Sequence, residues 1–195
     1  MAEDKKNASR LKAGLVFIDE SGFLMAPWVR RTWAPRGQTP LLYQRGRAHQ
    51  KVSVIAALCI TARRDHLRCY FRLHPGANIR TPQVTAFLRQ LARQLNREPF
   101  LVIWDRLQAH RPKTVQTILH TPPALGSYFL PAYAPELNPV EMLWGYLKTN
   151  PLANAPYYTL EDLRKSTHSH GRAIQRQEHL LRSFIEHVPL SLRLY

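Results

Sequence analysis

The stretch LPAYAPELNPVEMLWGYLK, Leu130 to Lys148, leads out of an apolar segment and into a helix whose first turn carries one acid, Glu141. Asn138 reads as the N-cap and Pro139 as the first helical residue. An Asn side chain accepts from the open N–H groups of a first turn, and proline has no N–H to leave unpaired there. Gly126 to Leu130, just upstream, reads as a strand, so this is a strand-to-helix unit of an α/β protein. Two other apolar runs also end in acids: GLVFID, Gly14 to Asp19, and FLVIWD, Phe100 to Asp105. Three carboxylates at element ends suggest a metal site.

Working outward, Glu20-Ser21-Gly22 reads as a turn between the first strand and a second extended piece, Phe23 to Met25. The connection APWVRRTWAPRGQTP follows, and its prolines at 27, 35 and 40 keep it out of helix. KVSVIAALCIT, Lys51 to Thr61, is a continuous β-branched and apolar run. After the charged turn ARRD, the alternation in HLRCYFRLH puts Leu67, Cys69, Phe71 and Leu73 on one face, which predicts a hairpin. Thr81 and Pro82 read as N-cap and first-turn proline of a helix in which Val84, Phe87, Leu88, Leu91 and Leu95 recur at helical spacing. Lys113 to His120 is a short helix. Thr159 with Asp162 three residues on is a helix start, followed by one or two helices to the C-terminus. Antiparallel strands first and parallel strands through helical crossovers later make a mixed sheet with helices on both faces.

The division expected is a polar leader over residues 1–12, a catalytic domain over 13–150 and a C-terminal helical extension over 151–195 packed on it. Lys and Arg number 28 against 13 Asp and Glu, a net charge of +15, and such an excess draws polyanions by phosphate pairing and counterion release. Nucleic acid is the leading partner, although an Arg-, Ala- and Pro-rich coding bias would also raise the charge. Cys59 and Cys69 are too few for a disulfide framework or a zinc site and read as buried thiols. No apolar run approaches the ~20 residues of a membrane span, and the charged N-terminus lacks a signal-type cleavage pattern. The expectation is a cytoplasmic, nucleoid-associated protein with no membrane partner.

Two divalent metals about 3.5–4 Å apart can activate an attacking oxygen and stabilise a leaving one in phosphodiester displacement, and hard Mg2+ takes carboxylate oxygens. Asp19 and Asp105 supply them if their strands are parallel neighbours, for both acids then reach the same edge of the sheet. Each acid also has a reading without metal. Asp19 serves as a turn residue, Asp105 pairs with Arg106 or Arg111, and Glu141, at N3 behind Asn138, completes a capping box.

Taken together, FIDESGF, WDRLQAH and LPAYAPELNPVEMLWGYLK resemble the DDE superfamily endonuclease domain of mariner-group insertion-sequence transposases, over about residues 12–150. Pro131, Pro135, Leu137, Asn138, Pro139, Glu141 and Trp144 match that family's third motif position by position, and 35 residues separate Asp105 from Glu141, a similar spacing. The resemblance implies an RNase H-like fold, with a five-stranded mixed sheet. It makes Asp19, Asp105 and Glu141 the catalytic triad, binding two Mg2+ or Mn2+ ions. The implied reaction is cleavage of DNA at element ends and attack of the freed 3′-hydroxyl on target DNA by a bacterial enzyme, with a homodimer on DNA.

Where the family has Asn after the second Asp, this chain has Arg106, a fixed cation beside a ligand, which is read either as weakening metal binding or as a DNA contact that points to a phosphate. Full-length members also carry an N-terminal helix-turn-helix, so end recognition is expected from a separate polypeptide or missing domain. His110 occupies the family's His position. It is read either as orienting a scissile phosphate or ligand water, or as a loop histidine bonded to backbone. Arg30, Arg31, Arg36, Arg45, Arg47 and Lys51 lie among Trp28, Trp33 and Tyr43 and are read as DNA contacts, or else as a solvated loop. Trp144 and Leu147 are expected in the core. His168 and His170, two apart, are expected on the surface. Two competing functions are a catalytically weakened or inactive DNA-binding relict, and an RNase H-like nuclease acting on RNA–DNA hybrids.

Overall fold

The structure is a computed structural model and describes residues 12–26, 29–41, 50–190, 192 and 194. Five strands, β1 (Gly14–Leu24), β2 (Lys51–Ile60), β3 (Leu67–Pro75), β4 (Phe100–Trp104) and β5 (Ala124–Phe129), lie in the order β3-β2-β1-β4-β5. β1, β2 and β3 pair antiparallel, while β4 runs parallel to β1 and β5 parallel to β4. This is the mixed RNase H-like sheet that the resemblance implied.

Among the described residues five helices cover it: α1 (Thr81–Gln94), α2 (Lys113–Leu119), α3 (Pro139–Thr149), α4 (Leu160–Gln175) and α5 (Glu178–Glu186). Alternation along the strands divides the core into two layers. Val16 and Ile18 of β1 join Val84, Phe87, Leu88 and Leu91 of α1 on one face. Leu15 and Phe17 face the other way, into a cluster with Leu143, Trp144 and Leu147 of α3 and with Leu163, Leu181 and Phe184 of the last two helices. The predicted core faces of the hairpin and of α1 are the ones buried. Cys59 and Cys69 are free, buried and on opposite layers.

Three local expectations are corrected. The predicted turn at Glu20-Ser21-Gly22 does not form, because β1 continues to Leu24. Its partner β2 is long enough to hydrogen-bond the whole of it, with Glu20 opposite Ile55, Ser21 opposite Val54 and Gly22 opposite Ser53. The last strand begins at Ala124, ahead of Gly126. That glycine, at φ +124°, lies where the register with β4 slips by one residue, a backbone position favouring glycine. Arg80, and not Thr81, is the N-cap of α1; its N–H donates to Gln83 Oε1 at 3.1 Å, and Pro82 stands in the first turn.

β3 is an edge strand, and the C-terminal helices cover its exposed groups. Gln175 Nε2 donates to the Cys69 carbonyl at 2.6 Å, and Leu67 N–H donates to Glu178 Oε1 at 3.2 Å.

Candidate active site

The parallel pairing of β1 with β4 stops at Phe17 and Ile103, while β1 carries on beyond it. Asp19 and Glu20 therefore lie past the end of β4, on opposite faces of the same strand. Asp19 follows Phe17 toward α3, and Glu20 follows Ile18 toward the loop after β4. Carrying the register on by two residues sets Asp105, the first residue after β4, beside Asp19.

Asp19 is only 8% exposed, and its Oδ2 accepts from Trp144 Nε1 at 2.8 Å. Burial, then the charges of Glu141 and Glu20, push its carboxyl up to about 8, with the Trp144 hydrogen bond opposing them. Asn138 fixes how α3 meets this strand. Its Nδ2 donates to the Ile18 carbonyl at 3.1 Å, and its Oδ1 accepts from Val140 N–H at 3.2 Å as the helix cap. One side chain thus docks the helix start next to Asp19.

Glu141 follows in the first turn of α3 but caps nothing, which removes the capping-box reading. The N–H that a capping box would use, that of Asn138, already donates to the Pro135 carbonyl at 2.9 Å within a 3-10 turn over Pro135–Leu137. No described residue donates a hydrogen bond to the Glu141 carboxylate. Burial raises its pKa, the Lys148 charge pulls it down, and Asp105 raises it further.

Asp105 behaves in the opposite way. Its Oδ1 accepts from Leu107 N–H at 3.0 Å and from His110 Nδ1 at 3.1 Å, and its partner is neither Arg106 nor Arg111. The His110 bond is the main reason that its pKa lies below the usual value, with burial opposing and the Leu107 N–H adding. His110 is fully buried, within a 3-10 turn over Gln108–His110, and stacked on Trp104 with ring centroids 4.0 Å apart and planes 6° apart. Its Nδ1 also meets the Asp105 carbonyl at 3.2 Å, and its Nε2 meets Glu20 Oε1 at 3.0 Å. Burial works against charge on this ring. The bonds to Asp105 and Glu20 outweigh burial and hold it protonated up to about pH 9.

Sequence reasoning places Glu20 in a turn and gives it no part in the site. Alternation beyond Asp19 would have exposed it, had the strand been read through to Leu24. The structure also answers the two readings of His110: it bonds backbone, as a loop histidine would, but it mainly bridges two carboxylates.

Asp19, Asp105 and Glu141 meet at one end of the sheet and act on one another through their charges, Asp19 with Glu141 and Glu141 with Asp105. The tightest group of metal-type donors among the described residues is a different one, Glu20, Asp105 and His110, whose ligand atoms lie within 4.8 Å of one another. That group is a hydrogen-bond network and not a ligand set. Both ring nitrogens of His110 face oxygen acceptors, and an imidazolium donating from both has no lone pair for a metal.

The expected DNA contacts are scattered. Arg30 is anchored: its N–H donates to Asn154 Oδ1 at 2.8 Å, Asn154 Nδ2 donates back to its carbonyl at 2.9 Å, and its guanidinium reaches Thr149 Oγ1 at 3.2 Å. Arg31 and Arg36 are exposed, as is Trp33 at 99%. Lys51 is half-buried at the start of β2, and Arg106 is exposed beside Asp105. Trp28, Tyr43, Arg45 and Arg47 lie outside the described residues.

The family model for DDE superfamily endonucleases matches residues 14–164. Among solved structures, the chain superposes on the Mos1 transposase paired-end complex with left transposon end at a TM-score of 0.65 and 20% identity, covering 96% of this chain and 55% of that one. It superposes on the Mos1 mariner paired end complex with Mn at 0.64 and 19%, covering 95% and 56%. For the catalytic domain of Mos1 mariner transposase the values are 0.57 and 15%, covering 96% and 87%. At these identities the likeness is one of fold, and the chain spans about half the length of the first two. A comparison with curated proteins finds no match.

Proposed function

The chain belongs to the DDE superfamily endonucleases, whose family model covers residues 14–164, and from that membership we propose that it is the catalytic domain of a DNA transposase. The observation that carries the reading is the convergence of Asp19, Asp105 and Glu141 on one end of the sheet, with Asp19 and Glu141 both raised in pKa by burial and by neighbouring acids. Such a crowding of carboxyl groups that resist ionisation is the environment in which a hard cation would take the place of the protons, and three carboxylates are the donors that Mg2+ or Mn2+ takes. These three residues would hold the metal, two ions in the full reading, which when bound supplies Lewis acidity at phosphorus and an activated nucleophile.

The chain's own residues prepare that reaction. Trp144 holds one oxygen of Asp19, and Leu107 with His110 holds one oxygen of Asp105, so each aspartate is turned in a set direction. Asn138 seats the helix that brings in Glu141. Arg106, exposed beside Asp105, takes a DNA phosphate, while Arg31, Trp33 and Arg36 offer cations and a stacking ring along the connection. Water and a 3′-hydroxyl are alternative nucleophiles for the same in-line displacement. One site therefore serves both end cleavage and strand transfer, with no covalent protein intermediate. The ends are read by a helix-turn-helix polypeptide or domain outside these 195 residues, and two copies act on paired ends. The likeness to paired-end complexes supports that arrangement.

The test is nicking of DNA carrying the element's ends, with Mn2+ and an upstream helix-turn-helix partner supplied. Metal-dependent nicking is expected from the unmodified chain and not from Asp105→Asn. Nicking that persists in Asp105→Asn would show that the site is elsewhere.

A further inference from the structure

Asp105 needs more fixing than the other two acids. It follows the last residue of β4, stands half exposed, and has no strand pairing of its own. A carboxylate at the start of a loop keeps its rotamer freedom unless something beyond its own backbone removes it. Two donors do so here, and both act on the same oxygen. Leu107 N–H and His110 Nδ1 meet Oδ1 at 3.0 and 3.1 Å, which leaves Oδ2 outside both contacts.

His110 is itself held on every side. Its ring stacks on Trp104, the residue before Asp105; its carbonyl accepts from Gln116 Nε2 at 2.8 Å; its Nε2 meets Glu20 Oε1 at 3.0 Å. Glu20 in turn stands on the central strand, paired opposite Ile55 in the ladder with β2. The hydrogen-bonded chain Glu20, His110, Asp105 therefore ties a loop acid to the most constrained strand of the sheet. Full burial, with both ring nitrogens engaged, keeps His110 from touching phosphate or solvent.

We propose that Glu20 and His110 are positioning residues that set the orientation of the Asp105 carboxylate for metal binding. The inference rests on the reading of Asp105 as a ligand. Outer-shell partners of this kind are worth about 10–100-fold in metal affinity. They act by holding the ligand in one geometry, so the binding constant for metal shifts and the affinity for DNA does not.

The experiment measures Mn2+ binding to the full chain without DNA, by the paramagnetic resonance of free Mn2+, together with thermal melting and, where nicking is seen, the KM for DNA at saturating Mn2+. Glu20→Ala removes the acceptor for Nε2. His110→Phe keeps a ring against Trp104 but removes both donors. Glu20→Gln keeps a carbonyl acceptor at the same place while removing the charge. The expected result is Mn2+ binding weakened about 10–100-fold in Glu20→Ala and His110→Phe, within a few-fold of the unmodified chain in Glu20→Gln, and an unchanged KM for DNA. If the first two variants lose melting temperature while their folded forms bind Mn2+ as the unmodified chain does, the pair is merely structural and the proposal fails. If Glu20→Gln is as weak as Glu20→Ala, charge and not positioning is responsible, and the proposal again fails. Asp105→Asn separates the two levels. Loss of Mn2+ binding there with none in Glu20→Ala or His110→Phe overturns only the positioning role, whereas unimpaired binding in Asp105→Asn overturns the ligand assignment and the inference with it.

Discussion

The two sides of the acidic edge are built on opposite principles. Asp19 and Glu141, between β1 and α3, are buried or half-buried near other acids, and both bind their protons more tightly than free carboxylates do. Asp105, on the far side, has a cation and an N–H on one oxygen and binds its proton less tightly. One side thus crowds carboxyl groups that the fold discourages from ionising, while the other is held ionised by the fold. Destabilised groups are tolerated where function requires them. The contrast predicts that a bound cation mainly relieves the Asp19 side, while the Asp105 side supplies geometry.

The largest effect is expected from removing a carboxylate outright. Asp105→Asn or Asp19→Asn should lower Mn2+-dependent nicking on the order of 10³-fold or more, since the metal contributes several kcal/mol to the transition state. Single-turnover assays on end-bearing DNA check this, and a variant retaining more than about a tenth of the rate would break the comparison at its root. Next in size is the loss of a docking side chain. Asn138→Ala removes the cap of α3 and the bond to the Ile18 carbonyl. It should destabilise the protein by about 2–4 kcal/mol from a cap worth ~1 and an unpaired buried carbonyl worth ~1–3, read from urea melts.

The two sides should also differ in their dependence on pH and metal. Asp19 has a carboxyl near 8 when folded, against 3.8 for the free group. Below about pH 4 both states hold the proton, and the stability from this group is fully present. Between there and about pH 8 the unfolded chain releases the proton first, so each rise in pH favours unfolding. The metal-free protein should therefore lose melting temperature over that window, and Asp19→Asn should lose less. A steeper decline in Asp19→Asn would reverse the assignment of the charged side. Added Mn2+ at about 100 times its Kd should stabilise the unmodified chain by about 2.7 kcal/mol, roughly 5–10 °C for a domain of this size. That rise should vanish in Asp19→Asn, a result read by calorimetry.

The smallest change is expected at Arg106, whose charge is absent from the causes that act on Asp105. Arg106→Ala should weaken DNA binding about equally across sequences and lower the salt slope by about one. Binding titrations at several salt concentrations measure this. A Mn2+ affinity that rises sharply in the same variant would mean that Arg106, and not His110, governs Asp105.

Much of this was legible in the residues. The apolar period of α1, the alternation of β3 and the Asn-Pro start of α3 each encode their element locally, since burial demands those spacings. The three acids were also legible, as acids at element ends matching a family pattern. Glu20 was not, because its partner lies 90 residues away and its local context, Glu-Ser-Gly, favours a turn. Pairing with β2 overrode that preference. The capping alternative for Glu141 was reasonable from position alone and failed because Pro135 supplies a carbonyl to the Asn138 N–H.

From the sequence alone came the elements, their burial faces and the identity of three acids, for these depend on short-range spacing and on what each side chain is. Only the tertiary structure decided that Asp19 is ionised only at a cost and so keeps its proton up to about pH 8, that Asp105 is held by a buried histidine, and that Glu20 stands behind that histidine. Burial and hydrogen-bond partners across the sheet are long-range properties. They arise when a long strand outruns its shorter parallel neighbour and leaves two consecutive acids facing opposite layers of the fold.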